Sequence, residues 1–128
     1  MFVVCPDVVG CHYRTMVLWN HYYRWIKEYG HPVAFVAQDG CEPELVPEEA
    51  DWIFIGGKDP WKVNNICNFT GLGKPVHVGR VNMVARLELC ERLGVTSVDG
   101  TGWVQFNNYQ TRDLKEYLSG EKQQCSLF

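Results

Sequence analysis

Five short apolar runs, each closed by a polar turn and followed by a helical pattern, constrain this chain more than any other feature. The runs are Phe2-Val3-Val4-Cys5, Val33 to Ala37, Trp52 to Ile55, Val76 to Val78 and Ser97-Val98. Their closing turns are Pro6-Asp7, Gln38-Asp39-Gly40, Gly56-Gly57, Gly79-Arg80 and Asp99-Gly100-Thr101. Short apolar runs without polar alternation are the pattern of strands buried on both faces. With a helical segment between successive runs, the expected sheet is parallel and its crossovers right-handed.

The intervening segments carry helix signals. In the first, Leu18, Tyr22, Trp25, Ile26 and Tyr29 recur at helical spacing and are the expected inward stripe, and Gly30 and Pro32 end it. Residues 42–49 are an acidic loop or one short helix. Asp59-Pro60 has the form of an N-cap and a proline at the first helical position, opening a helix to about Phe69 that Gly71 and Gly73 stop. Asn82 is the expected cap of a helix with Met83, Leu87 and Cys90 on one face, ended by Gly94, and a last helix is expected over 111–118. The fold class is therefore α/β: five β-α units with a parallel sheet, in a single domain over 1–128. A complete (β/α)8 barrel needs eight units and about 250 residues, so the expected architecture is a partial, half TIM-barrel-like one.

Composition narrows the function classes. Hydrophobic residues make up 46% and charged residues 21%, which suits a globular core and excludes disorder. A net charge of -3 excludes a generally basic surface but leaves room for a local phosphate-binding patch. The six cysteines form no CxxC pair and no zinc-site spacing. They are expected to be reduced thiols of a cytoplasmic protein. No apolar run reaches the length of a membrane span, and residues 1–10 lack a signal-peptide pattern. No metal and no cofactor are expected.

Ligands of parallel α/β folds bind outside the carboxyl ends of the strands. The residues there are Asp7, Gln38, Gly56, Gly57, Arg80, Asn82 and Asp99, with Lys62 one helical turn further on. Each has an ordinary alternative. Asp7 can cap the next helix, Gln38-Asp39-Gly40 can be only a turn, and Gly56-Gly57 can be only a tight strand-to-helix connection. Arg80 can pair with a neighbouring acid, Trp61 can be packing, and His77, inside a strand, reads as a satisfied core histidine. The case for a site is that these motifs fall at the same end of successive strands.

In that order, the rim resembles the second half of the barrel of tRNA-guanine transglycosylases, and more closely their phage-type DNA-modifying relatives that insert 7-deazaguanine bases. The family pattern V-G-x…G-V-x-x-x-D is met by Val78-Gly79-Arg80 and Gly94-Val95-Thr96-Ser97-Val98-Asp99, and the resemblance spans roughly residues 2–104. It implies a transferase of the glycosyltransferase class, in which Asp99 is the nucleophile, Asp7 and Gln38 recognise the base edge, and Gly56 and Gly57 frame the ring. Base exchange cleaves an N-glycosidic bond, and a carboxylate traps the oxocarbenium-like sugar as retaining glycosidases do. Lys62, Arg80 and Asn82 are the expected contacts to the reacting nucleotide, the two cations to its phosphates.

Two departures from the family stand out. The cysteine-rich zinc site after the nucleophile is missing, since only Cys125 follows Asp99, and so is the first half of the barrel with its general acid/base aspartate. Asp39, Asp59 or a partner chain would have to replace that group. Two readings stay open: an exchange enzyme for a purine or 7-deazapurine base in DNA or tRNA, and a non-catalytic half-barrel that binds a nucleobase or nucleotide. A sugar–phosphate enzyme on the same sheet and a pure interaction protein rank below them. A homo-oligomer, or another partner that completes the barrel, is expected in every case, and no membrane association.

Overall fold

The computed structural model describes residues 1–100 and 109–120. In chain order the elements are β1 (Val3–Val4), α1 (His12–Glu28), β2 (Val33–Ala37), a 3-10 turn (Pro43–Leu45), β3 (Trp52–Ile55), α2 (Trp61–Phe69), β4 (Val76–Val78), α3 (Val84–Arg92), β5 (Ser97–Val98) and α4 (Tyr109–Leu118). All five strands are parallel and lie in the order β1-β2-β3-β4-β5. Strictly sequential order with right-handed crossovers carries every crossover helix to the same face of the sheet. A doubly wound sheet would need the order to reverse. The sheet curls around its uncovered face as a half-barrel, as expected from the sequence.

Register divides the strand residues into two sets. On the helix-covered face Phe35, Ile53 and Val76 align, and one step on Ala37, Ile55, Val78 and Val98 do the same. All but Val98, which is partly buried against them, form the core with Trp19, Ile66, Phe69 and Cys90 from the helices. On the concave face Val36, Phe54, His77 and Ser97 align. Rings of Phe2, Trp52, Phe54 and His77 cover the lower part of this face, with centroids 4.7–6.4 Å apart.

Three expectations need correction. β1 is not buried on both faces: Val3 and Val4 are 39% and 40% exposed, because β1 is an edge strand with a neighbour on one side only. The inward stripe of α1 is Thr15, Trp19 and Ile26, with Tyr22 and Tyr23 partly packed, whereas Trp25 and Tyr29 are exposed. Apolar residues surround this helix, so periodicity alone leaves the face open; Trp19, edge-on to Phe35 at 5.5 Å, settles it. Thr15 is accommodated because its hydroxyl donates to the Cys11 carbonyl at 2.8 Å and accepts from the Val8 N–H at 3.0 Å. Finally, neither Asp59 nor Asn82 caps a helix. α2 and α3 begin after Pro60 and Met83 with no side-chain cap, and the Asp59 carboxylate instead pairs with Arg86 at 2.6 Å.

Three thiols, Cys5, Cys41 and Cys90, behave as packing groups. Burial, with help from Asp7, pushes Cys5 up to about 11. Burial, with Glu42 and Glu44, pushes Cys41 up to about 12. Burial also takes Cys90 to about 11. Such thiols stay protonated and unreactive at neutral pH. Cys11 and Cys67 are also free, while Thr101 and Cys125 lie outside the described residues.

Deleting the central ring by Phe35→Ala should lower stability by about 3–5 kcal/mol in urea titrations. Trp25→Ala should change it by no more than about 0.5 kcal/mol. Equal losses would put the helix back on the face first expected.

Candidate functional site

Side chains alternate along a strand, so the concave row Val36–Phe54–His77–Ser97 predicts the next layer two residues on. That layer is Gln38, Gly56, Gly79 and Asp99. The ladder continues far enough to hold it, since Gly56 N–H bonds Ala37, Gly79 N–H bonds Ile55 and Asp99 N–H bonds Val78, at 3.0–3.1 Å. The two central strands thus contribute no side chain to this layer, and a cavity opens between Gln38 and Asp99. Its volume is about 340 Å³, and Asp7, Gln38, Gly56, Gly57, Gly79, Arg80 and Asp99 line it over a floor that includes Val36 and Phe54. The size lies at the lower end of ligand sites. The glycines are required by space: a Cβ on Gly79 would lie 2.8 Å from the Phe54 ring, and one on Gly56 would lie 2.7 Å from the Gln38 amide.

Gln38 is 2% exposed and organises one wall. Its Oε1 accepts the N–H groups of Gly10 (2.9 Å) and Gly57 (2.8 Å), and its Nε2 donates to Asp7 Oδ2 at 2.6 Å. One amide therefore ties the turns after β1, β2 and β3 together. Asp7 is not a helix cap, since Cys11 precedes α1 without a side-chain cap bond. Asp39 steadies the same wall by accepting the Lys58 N–H at 2.8 Å. Gly57 takes φ +64° and faces Trp61, whose ring a Cβ would meet at 2.4 Å. Its N–H goes to Gln38 and its carbonyl accepts from Arg80 Nη2 at 2.7 Å. The glycine pair therefore offers a ligand space rather than the Gly57 backbone.

Asp99 forms the opposite wall. Its Oδ1 accepts the Arg80 N–H at 3.0 Å, and its Oδ2 lies 2.7 Å from His77 Nε2. His77 Nδ1 lies 2.7 Å from Ser97 Oγ. Partial burial alone would raise the Asp99 carboxyl. The Arg80 N–H, the His77 contact and the Lys62 charge outweigh it and hold the carboxyl below its ordinary 3.8. Asp99 is thus an ionised carboxylate with a half-exposed side chain. His77 is the residue sequence reading passed over: buried and hydrogen-bonded as a core histidine should be, it also touches the candidate nucleophile. The available signal was a histidine in an apolar strand beside a strand ending Ser-x-Asp, where a buried imidazole needs two polar partners.

Lys62 and Asn82 do not reach this cavity. With Lys58, Asp59, Arg80 and Arg86 they line a second one of about 280 Å³, and Arg80 is the wall common to both. Among the described residues no group of three or more His, Cys, Asp or Glu side chains could hold a metal ion, and no helix is long and apolar enough to cross a membrane. Fold and site together define an α/β half-barrel with a carboxylate-bearing cavity at the carboxyl ends of its strands. The chain matches no family model, no curated protein and no solved structure.

Replacing the hub by Gln38→Leu strands two backbone donors and should lower stability by at least about 2 kcal/mol, read by urea titration. The Asp99 carboxyl supplies a separate test. A group whose folded value lies below its unfolded value stabilises the fold above the unfolded value and loses that contribution as pH falls through the folded one. Wild-type stability should therefore drop below about pH 4, and Asp99→Asn should flatten that drop. Identical acid limbs would show that the Asp99 contacts are not maintained.

Proposed function

We propose that the chain performs base-exchange glycosyl transfer, placing a 7-deazaguanine-type base into DNA or tRNA with Asp99 as nucleophile. The observation that carries this reading is the convergence of Asp7, Gln38, Gly57 and Asp99 on one cavity. In the proposed reaction an Asp99 oxygen forms an ester bond to the sugar C1′ as the C1′–N bond to the resident base breaks. The electron pair leaves on that base, which takes up a proton. The incoming base loses a proton, attacks C1′ and releases the carboxylate. An ionised, half-exposed Asp99 suits the first step, and the Arg80 N–H and His77 fix the direction its oxygens face. Asp7 keeps Oδ1 for the donor-rich edge of a guanine-like ring. A nucleotide within a duplex would have to be flipped out to arrive.

A second reading, a non-catalytic base binder, has its own support. The two aspartates suggested as replacement acid/base groups are both engaged, Asp39 with the Lys58 N–H and Asp59 with Arg86. Loss of proton transfer to a leaving group typically forfeits about 10²–10⁴-fold in rate. A second copy completing the barrel is part of both readings, supported by the exposed edge strand β1. A cytoplasmic setting is supported by the free thiols.

Labelled-base exchange into DNA and tRNA, run beside calorimetric binding of a 7-deazaguanine, separates the two. Asp99→Asn should lower exchange by at least ~10³-fold while leaving base affinity within a few-fold. Binding without exchange in the wild type selects the binder, and no binding at all overturns both. Sedimentation as a single monomer at micromolar concentration would remove the second copy.

A further inference from the structure

The second cavity gathers positive charge. The protein as a whole has a net charge of -3. Here four cationic side chains, Lys58, Lys62, Arg80 and Arg86, meet a single carboxylate, Asp59. Asp59 is already bound to Arg86 at 2.6 Å, which leaves three positive charges in excess. Among the described residues none of Lys58, Lys62 and Arg80 forms an ion pair.

Lys62 is the unusual member. It is 3% exposed, and its ammonium donates to one neutral acceptor, the Gly79 carbonyl, at 2.8 Å. Buried cations are ordinarily paired with an anion. Burial, followed by the Arg80 charge, pushes the Lys62 amine below its ordinary value, and the opposing pull of Asp59 and Asp99 does not offset them. Arg80 adds a second sign. It is the one non-glycine residue at positive φ among the described residues, at 58°. Such a conformation is strained for a residue that carries a Cβ, and it clusters at ligand sites. Its guanidinium is fastened to the Gly57 carbonyl, and the residue sits between the two cavities.

We propose that the cavity lined by Lys58, Lys62, Arg80 and Arg86 is a phosphate-binding site, placed to hold the phosphate of a ligand whose base occupies the neighbouring cavity. The phosphate site stands on its own charges, and only the identity of the whole ligand rests on the base-exchange reading. A phosphate supplies the missing negative charge and accepts several N–H groups at once. Because Arg80 belongs to both walls, a nucleotide can span them, with base and phosphate on either side of its guanidinium.

The test is amide chemical-shift titration of the full chain with sodium phosphate against sodium chloride at equal ionic strength. Phosphate should give saturable shifts at Lys58, Lys62 and Arg80 in the millimolar range, and chloride should not. Lys58→Glu, at an exposed position that leaves the fold intact, should weaken phosphate on the order of ten-fold or more. Lys62→Met, checked for folding by the dispersion of its spectrum, should do the same. Guanosine 5′-monophosphate binding more tightly than guanosine assigns the phosphate to a mononucleotide. A gain seen only with single-stranded DNA or RNA assigns it to a polymer backbone, and no gain with either assigns it to free phosphate. Shifts that chloride reproduces, or that Lys58→Glu leaves unchanged, overturn the site. A 7-deazaguanine that shifts Gln38 and Gly57 while phosphate shifts nothing sinks this inference alone, and the reverse sinks the base-exchange reading alone.

Discussion

The handedness of the strand–helix–strand connection is the constraint from which the rest follows. Five parallel strands in unbroken sequential order, joined by right-handed crossovers, carry their crossover helices to one side. That side becomes the core, where Phe35, Ile53, Ile55 and Val78 meet Trp19, Ile66 and Phe69. The other side curves inward. The groups proposed to act on a base stand on the upper edge of that concave side or in the turns leaving it, and the phosphate cavity beside them adds Lys62 from α2 and Arg86 from α3.

A concave face lined by ordinary side chains would be full. Here the layer above Phe54 and His77 is empty at its centre, because β3 and β4 end in glycines where β2 and β5 end in Gln38 and Asp99. The polar walls are held by bonds that cross between turns distant in sequence. Gln38 joins three of them, and the Arg80 guanidinium reaches back to Gly57. The cavity is therefore set by the curl of the sheet, and its geometry depends on the register of the strands below it.

Much of this was legible in the residues. Short apolar runs and their closing turns located β2 to β5 and the helices between them, because parallel strands in a sheet interior leave an unalternating signature. The rim residues were legible for the same reason, since a strand end is marked by its turn. What the sequence did not disclose depends on neighbours across space. The exposure of β1 follows from its place at the sheet edge, and the buried face of α1 from where Trp19 meets Phe35. Asp59 resembled a cap in its local sequence, but an arginine 27 positions later along the chain claims it. His77 acquires its meaning only once β5 is laid beside β4. The division of Lys62 and Asn82 from Asp7 and Gln38 into separate cavities likewise has no trace in spacing.

One consequence lies in the orientation of the Gln38 amide. Glutamine amides are often free to exchange their two ends by rotation about the last torsion, so they present oxygen or nitrogen as a visitor demands. At Gln38 the oxygen is saturated by two main-chain donors from different turns, and turning it over would set nitrogen against both. The polarity is locked. From Gln38 a visiting molecule meets hydrogen and never oxygen, while the adjoining Asp7 oxygen meets it as an acceptor. The wall reads as a two-letter pattern, and its order is written by the protein's own backbone before any guest arrives.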